Sequence, residues 1–194
     1  MNNVNVKLIV GLGNPGVEYE HTRHNVGVDF LYELASAYAI TLSSENKFYG
    51  ITGRGYIEGR DLRLLFPTTF MNLSGKSVLA ISQFYKIRPD EILVIHDDLD
   101  LSPGFMKLKN GGGLAGHNGL KSIASCLGTQ NFLRLRFGIG KPPSKDVISW
   151  VLGHPLPQDR DNIQKAYATA QKAIGVMFKD GLEKATALVN GFKI

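Results

Sequence analysis

The sequence predicts an α/β fold in which a single-domain mixed, mostly parallel sheet is flanked by helices on both faces. Two observations predict it. Short apolar segments typical of buried strands alternate with segments whose apolar residues recur at the 3.6-residue period of a helix. The 194 residues are 43% hydrophobic and contain no internal repeat or long linker, so we expect one compact domain over residues 1–194.

The first half of the chain is predicted to form three strands and two helices. The segment 58–60 has turn composition, which predicts a hairpin or neighbouring strands around it. Ser74 is a candidate N-cap, and Pro89 follows the end of the second helix. The predicted elements are a buried strand over 6–12, a helix over 25–40, β-rich runs over 47–57 and 61–67, and a helix from 74 to about 87.

The second half is predicted to contain further strands and a helical C-terminal part. The extended run FMKLK lies between turn-forming residues and a glycine tract, so we expect residues 103–117 to be mobile. In FLRLRFGIG, the alternation directs apolar side chains inward and both Arg134 and Arg136 outward. The predicted elements are a strand over 91–96, the extended run over 105–109, a helix over 118–127, a strand over 132–139, and helices over 156–178 and 182–189.

Composition restricts the class of protein and its partners. Lys and Arg number 22 against 17 Asp and Glu, for a net charge of +5. The isoelectric point near 9.3 favours a polyanionic partner but equally fits an ordinary solvated surface. The single cysteine, Cys126, excludes an internal disulfide and is expected to face the core. We find no signal-peptide pattern and no apolar stretch approaching a membrane span, and we expect a cytoplasmic protein that binds no membrane.

A glycine pattern follows the first predicted strand, but its surroundings do not fit a dinucleotide site. In LIVGLGNPG, Gly11, Gly13 and Gly16 have the nucleotide-binding spacing, yet the next residues lack a helical period. The ribose-binding carboxylate would have to be Glu33, which lies inside a predicted helix. Instead, polar side chains concentrate at the carboxyl end of a strand, which predicts a catalytic loop. These residues are Asn14, Tyr19, Thr22, Arg23, His24 and Asn25.

His24 in this loop and Asp97 at the end of a later strand can meet at one edge of the sheet. A carboxylate that accepts from one ring nitrogen leaves the other able to remove a proton from water, so the pair predicts base-catalysed hydrolysis. The alternative is that both residues are structural. A further alternative is a metal site of His21 and His24 with Asp97, Asp98 or Asp100, although no motif supplies the remaining ligands. Catalysis by a protein nucleophile is the weaker alternative, because the sequence contains no GxSxG motif.

Three asparagines occupy turns beside predicted strands or helices: Asn14 in GNPG, Asn72 in FMNLSG and Asn118 in GHNG. One such residue alone is ordinarily structural, because asparagine caps helices and tolerates the left-handed conformation. Three turns that can converge on one cleft favour function. Uncharged amides both donate and accept, so they can grip a peptide-like group or polarise a carbonyl.

Four cations form two pairs on predicted strands, Lys107 with Lys109 and Arg134 with Arg136. Residues two apart project from one face of a strand, so each pair suits phosphate contact or an ordinary solvated face. Their position beside the glycine tract and GHNG favours a substrate with a phosphate-bearing part and a hydrolysable bond.

Five long motifs occur along the chain: LIVGLGNPG continued by EY and TRHNVG, FPTTFMNLSGKSV, ILVIHDDLDL, GGGLAGHNGLKS and FLRLRFGIGKP. Together they resemble bacterial peptidyl-tRNA hydrolases over nearly the whole chain. The resemblance implies a single-domain α/β fold and hydrolysis of the ester that joins a peptide to the terminal ribose of tRNA. We expect water activated by histidine, without a metal, a cofactor or a covalent intermediate, and we expect a monomer.

The resemblance also implies roles for individual residues. His24 would be the general base and Asp97 its orienting partner, while Asn14 and Asn72 would position the peptide and the attacking water. Arg134 stays an alternative to Arg136 for phosphate contact. The remaining implied contacts are Tyr19, Met71, Asn118 and His117 for the substrate, and Lys107, Lys109 and Arg136 for the tRNA 5′-phosphate.

One departure and one alternative accompany the resemblance. Ala115 stands where glycine is expected in many relatives, within the segment expected to be mobile. Non-catalytic RNA-binding proteins of the plant organelle intron-splicing type also resemble this family. The presence of Asn14, His24 and Asp97 favours the hydrolase over that alternative.

Overall fold

The fold is built on a sheet whose central strands are parallel. A computed structural model describes residues 5–194, and residues 1–4 of the predicted domain lie outside the described residues. The strands are β1 (Leu8–Gly11), β2 (Ser43–Glu45), β3 (Gly50–Ile57), β4 (Arg60–Pro67), β5 (Ile92–Asp98), β6 (Met106–Asn110) and β7 (Leu133–Gly138). The helices are α1 (Val26–Ala37), α2 (Ser74–Phe84), α3 (Asn118–Leu127), α4 (Val147–Leu152), α5 (Pro157–Asp180) and α6 (Leu182–Asn190).

The strand order across the described residues is β2-β3-β4-β1-β5-β7-β6. β1 pairs in parallel with β4 and β5, and β5 pairs in parallel with β7. Antiparallel pairs form both edges, β2 with β3 and β3 with β4 on one side and β6 with β7 on the other. Because the parallel strands end at the same edge, the segments that follow them can assemble one site.

Helices cover both faces of the sheet. On one face, α1, α5 and α6 pack against strand residues that include Ile9 and Leu93. On the other face, α2 and α3 cover residues that include Val10 and Val94. Successive residues of β1 and β5 therefore enter opposite cores, which explains why these strands are apolar throughout. The predicted fold class is confirmed. None of the helices within residues 5–194 is both long and apolar enough to cross a membrane.

Most predicted elements occur, with three local differences. Ser74 is the first residue of α2 rather than its N-cap, and its hydroxyl donates to the Met71 carbonyl at 2.7 Å. The sequence predicts neither β2 nor α4, because segments of three and six residues are too short to show a strand or helix period. Cys126 is exposed instead of facing the core. It lies one turn beyond Ile123, the last buried residue of α3.

The glycines of LIVGLGNPG and the start of α1 permit close packing. A Cβ at Gly13 would lie 2.7 Å from Val28 Cγ1, and one at Gly27 would lie 2.4 Å from the Ile95 carbonyl oxygen. Neither position has room for a side chain, so glycine allows α1 to approach β1 and β5 this closely. The turn that precedes α1, which contains His24, is thereby brought to the end of β5.

Candidate active site

The site is centred on the carboxylate of Asp97, near the end of β5. Asp97 Oδ2 accepts a hydrogen bond from His24 Nδ1 at 2.7 Å, and Asp97 Oδ1 accepts one from His117 Nε2 at 2.7 Å. The side chains are largely buried, with 3% of Asp97, 12% of His24 and 7% of His117 exposed. The structure thus joins His24 to Asp97 and adds His117, for which the family resemblance implies only a substrate contact.

Hydrogen bonding determines which ring nitrogens carry protons. His117 Nδ1 accepts from the backbone N–H groups of Gly119 at 3.1 Å and Leu120 at 3.3 Å, at the start of α3. The proton of a neutral His117 is therefore on Nε2, which faces Asp97. His24 donates through Nδ1, so the lone pair of its Nε2 is available to a substrate or water molecule.

Burial and charge shift the pKa values of His24 and Asp97 in opposite directions. Burial alone would lower the pKa of His24, but the charge of Asp97 and the hydrogen bond to it outweigh burial, and the pKa of His24 is raised. Burial would raise the pKa of Asp97, but the two imidazoles hold that pKa well below its usual value. Asp97 therefore remains a carboxylate, and His24 is a stronger base than an isolated imidazole.

The residues on either side of Asp97 face the opposite surface of the sheet, because side chains alternate along β5. His96 Nδ1 donates to the Asp97 carbonyl at 2.8 Å, while His96 Nε2 has no hydrogen-bond partner within residues 5–194. Burial and the neighbouring His117 lower the pKa of His96 to about 3, so its ring is neutral. Asp98 accepts from Arg136 Nε at 2.5 Å. The two successive carboxylates thus bind different partners, Asp97 the imidazoles and Asp98 the Arg136 guanidinium, although both line the cavity that contains His24.

A contact from α4 holds the turn that carries His24. This turn, Arg23–Asn25, is a short 3₁₀ helix before α1. The Arg23 guanidinium lies 3.5 Å from the centroid of the Trp150 ring and donates to the Trp150 carbonyl at 3.0 Å. The Arg23 N–H also donates to the Gly153 carbonyl at 2.9 Å. The sequence indicates Arg23 only as a polar loop residue and does not indicate Trp150, because no local pattern reveals a contact between residues 127 positions apart.

Asn14 presents an oriented amide. Its Oδ1 accepts from the Met71 N–H at 2.8 Å, which leaves its Nδ2 as a donor. Its backbone N–H and C=O are each bonded to the Asn25 side chain at 2.9 Å. Only 8% of Asn14 is exposed, so the amide lies at the boundary of the interior. The bond to Met71 also connects the first loop to the turn that carries Asn72.

The other predicted substrate contacts lie on segments joined to these residues. Asn72 is exposed in the turn that is bonded to Asn14, and Asn118 is exposed at the first position of α3. Tyr19 is half-buried, and its ring meets Phe70 edge-on with centroids 6.5 Å apart. The three predicted asparagine turns therefore belong to segments that are bonded to one another or to Asp97.

The two arginines of β7 have different surroundings. Arg134 is 2% exposed, and its guanidinium donates to the Gly113 carbonyl and, at 2.7 Å, to the Gln130 carbonyl. The prediction that both arginines face outward is therefore wrong for Arg134, because the glycine-rich segment covers this part of β7. Arg136 is partly exposed, at 21% of its side chain, and pairs with Asp98.

Cations from two strands surround one small cavity. Lys107 and Lys109 are exposed on β6, and the strand register places them opposite Arg136 and Arg134 of β7. The cavity has a volume of about 260 Å³ and is lined by Lys109, Arg134 and Arg136 together with Asp98. Because one carboxylate faces three cations, the cavity suits an anionic group.

Two further cavities lie near the histidines and near Asn14. One of about 380 Å³ is lined by His24, Asp97 and His117 and by residues of the segment 141–151. The other, of about 780 Å³, is lined by Asn14 and runs between α1 and α5. His24 therefore opens into the smaller of these two cavities.

Known proteins with this sequence pattern identify the family. The family model described as Peptidyl-tRNA hydrolase matches residues 8–194. The chain belongs to the peptidyl-tRNA hydrolase family. A peptidyl-tRNA hydrolase of Haemophilus influenzae is 53% identical over 191 residues, which cover 97% of this chain and 98% of the relative. One from Edwardsiella ictaluri is 54% identical over 190 residues, 97% of each chain. The crystal structure of peptidyl-tRNA hydrolase from Acinetobacter baumannii matches with a TM-score of 0.95 at 47% identity, covering 98% of this chain and 97% of that chain.

In this member of the peptidyl-tRNA hydrolase family, the possible metal ligands differ from those predicted. The ligand atoms of His24, Asp97 and His117 lie within 4.8 Å of one another. His21, which the sequence suggested as a ligand, instead lies 3.3 Å from Asp29. Both imidazoles already donate to Asp97, so an ion would have to replace these hydrogen bonds rather than add to them.

Proposed function

We propose that this chain hydrolyses the ester between the peptide and the terminal ribose of peptidyl-tRNA. The observation that carries the proposal is the 2.7 Å hydrogen bond between His24 Nδ1 and Asp97, which leaves His24 Nε2 as the base. His24 removes a proton from water as the water oxygen attacks the ester carbonyl; the ester C–O bond then breaks, the ribose oxygen takes the proton that His24 holds, and the peptide leaves with a carboxyl group. The mechanism uses neither a metal nor a covalent intermediate, and membership of the family supports the reaction.

The amides surround the reacting ester in this proposal. Asn14 acts as a catalytic donor, because its Oδ1 is already bonded to the Met71 N–H and its Nδ2 can donate to a substrate carbonyl. Because Asn14 and His24 line different cavities, the proposal requires the substrate to extend from one cavity to the other. The exposed amides of Asn72 and Asn118 bind the peptide and the acceptor end, and Tyr19 borders the cleft. The Met71 side chain is only 4% exposed, so Met71 contributes chiefly through its N–H, which holds Asn14. Amides directed at main-chain groups accept peptides of many sequences.

His117 has a different part in this mechanism from the substrate contact that the resemblance implies. Its two ring nitrogens are bonded to Asp97 and to the start of α3. We therefore assign it to holding the Asp97 carboxylate, which in turn orients His24. This assignment predicts that His117 acts through Asp97 rather than on the substrate.

The cations bind the tRNA 5′-phosphate in this proposal. Lys109 and Arg136 line the same cavity, and Lys107 is exposed beside it. Arg136 contacts Asp98 through Nε, and the other guanidinium N–H groups can donate to phosphate oxygens. Arg134 is a poorer candidate because its side chain is buried against main-chain carbonyls.

Two further parts of the proposal concern the oligomeric state of the protein and its location in the cell. We expect a monomer, which sedimentation would test, and a place in the cytoplasm, where translation produces the substrate. A dimer that is required for activity would reject the first expectation. Neither expectation is needed for the chemistry at His24.

The test is incubation of the purified protein with a peptidyl-tRNA and with the matching aminoacyl-tRNA, each with and without a chelator. We expect release of free tRNA from the peptidyl-tRNA only, at a rate that the chelator leaves unchanged. Binding without release would favour the RNA-binding alternative. Loss of activity with the chelator, restored by a divalent metal, would favour a metal at His24, Asp97 and His117.

A further inference from the structure

Asn25 makes both of its side-chain hydrogen bonds to a single residue. Its Nδ2 donates to the Asn14 carbonyl and its Oδ1 accepts from the Asn14 N–H, each at 2.9 Å. Asn25 occupies the N-cap position of α1, yet its side chain caps no helical N–H. It is also 3% exposed. An asparagine at the N-cap ordinarily accepts from an N–H of the first helical turn. Here the side chain instead makes a pair of hydrogen bonds, called the bond pair below, to the Asn14 backbone.

The bond pair acts on an amide that is also held at its other end. Asn14 Oδ1 accepts from the Met71 N–H at 2.8 Å. With its backbone fixed by Asn25 and its Oδ1 fixed by Met71, the Asn14 side chain has one arrangement, in which Nδ2 is the group left to donate. Without Asn25, the Asn14 backbone could turn and the direction of this donor would be lost.

The surrounding sequence leaves space for this arrangement. A Cβ at Gly13 would lie 2.9 Å from Asn25 Cγ, so a side chain at Gly13 would displace the Asn25 amide. Asn25 also directly follows His24 within one 3₁₀ turn. The same short turn therefore carries the base and the residue that orients the Asn14 amide.

We propose that Asn25 is a positioning residue, which sets the Asn14 amide in its orientation relative to His24 during hydrolysis. The inference rests on the proposed function, because it assigns Asn14 to the reacting ester. Asn25 itself has no part in proton transfer. Its effect on the rate is expected to pass entirely through Asn14.

The test is a double-mutant cycle of Asn25→Ala and Asn14→Ala on peptidyl-tRNA hydrolysis. Asn25→Ala should lower kcat/KM by about tenfold to a hundredfold, the range expected for a small misplacement of a reacting group. In the Asn14→Ala background the same change should cost at most about twofold, because the residue through which it acts is absent. The acidic limb of the pH–rate profile, set by His24, should not move.

Controls separate positioning from general destabilisation. Asn25→Ser removes the same bond pair with a smaller loss of volume, and it provides a second variant. Ser77→Ala removes a buried hydroxyl that donates to the Phe48 carbonyl, and it should leave kcat/KM unchanged. Equal losses from Asn25→Ala in both backgrounds would overturn the proposal.

Hydrogen exchange provides a readout that does not depend on activity. The Met71 N–H should exchange at least about tenfold faster in the Asn25 variants, because its acceptor on Asn14 is no longer held. The Val28 N–H, which donates to the Leu12 carbonyl, should keep its protection. If wild-type protein released no tRNA, the proposed function would fail, and unchanged Met71 exchange would separately reject the ordering of Asn14 by Asn25.

Discussion

The two polar regions at this edge of the sheet differ in how far the protein satisfies their charges. Both oxygens of Asp97 accept hydrogen bonds from imidazoles, and the carboxylate is buried. On the other face, Lys109 is exposed, and Arg134 donates to main-chain carbonyls. A closed group of hydrogen bonds keeps a base in orientation, whereas incompletely neutralised cations still attract an anion from outside. The hydrogen bonds of the Asp97 carboxylate are thus complete before a substrate binds, whereas Lys109 remains exposed to an anion from outside.

The largest expected effect separates the two regions by removing the base. His24→Ala should lower kcat for peptidyl-tRNA about 10³-fold, since a general base contributes about 10²–10⁴-fold. Affinity for tRNA should stay within about twofold, because the cations are intact. Single-turnover tRNA release and filter binding measure the two quantities. His154→Ala, which alters an exposed histidine bonded to the Glu20 carbonyl, is the matched control. A parallel loss of affinity in His24→Ala would show that the regions are not separable.

Asp97→Asn should lower kcat by about 10²-fold, because the amide no longer accepts from both imidazoles or stabilises a protonated His24. The native Asp97 charge raises the pKa of His24, and His24 must be unprotonated to act as a base. Without that charge the pKa falls, so the acidic limb of the pH–rate profile should move to lower pH while the maximum rate drops. A limb that stays in place would mean that another group titrates.

The same substitution should change the pH dependence of stability. A raised folded-state pKa means that the protonated His24 stabilises the native state fully below the ordinary histidine pKa. This contribution is lost as the pH rises through the raised value. In Asp97→Asn, the free energy of unfolding should no longer fall as the pH rises from the ordinary histidine pKa through the raised value. Unfolding in denaturant at several pH values measures this. An unchanged decline would assign it to a different residue.

Within the cationic region, substitutions of Arg134 and Lys109 should differ in how much they lower the free energy of unfolding. Arg134→Met leaves the carbonyls of Gly113 and Gln130 without their donor and should lower the free energy of unfolding by about 2 kcal/mol. Lys109→Met, at an exposed position, should change it by less than about 0.5 kcal/mol. Denaturant unfolding measures both. Equal values would contradict the structural role assigned to Arg134.

The smallest expected effect concerns binding alone. Lys109→Ala should weaken binding of 5′-phosphorylated tRNA about tenfold and reduce the salt slope by about one. The same tRNA without its 5′-phosphate should bind the variant and the wild type alike. Lys165→Ala, on the exposed side of α5, serves as the charge-matched control. Equal losses with both tRNAs would reject phosphate contact by Lys109.

Positions at strand ends were accessible from the sequence. Asn14 and Asp97 follow apolar segments typical of buried strands, so the sequence alone places their side chains at one edge of the sheet. The association of His24 with Asp97 followed from the same reasoning. The roles of these residues in hydrolysis stay predictions until the kinetic tests above.

Contacts that depend on distant segments were not accessible. Alternation along β7 correctly directs Leu133 inward, but it cannot show that a glycine-rich segment folds over Arg134. The bond pair between Asn25 and Asn14 and the stacking of Arg23 on Trp150 likewise require the folded chain. Local patterns encode which face a residue occupies, whereas tertiary packing decides what covers that face.

The alternation of β5 places a strict limit on change in this strand. Adding or deleting one residue before Asp97 would reverse the two faces, so that the acid beside the histidines would turn toward the arginines. Under the proposed function, ester cleavage and tRNA binding would then be lost together. A length change in the loop that follows β5 leaves the strand's phase intact. A one-residue insertion should therefore be tolerated in the loop after β5 but not within β5 before Asp97.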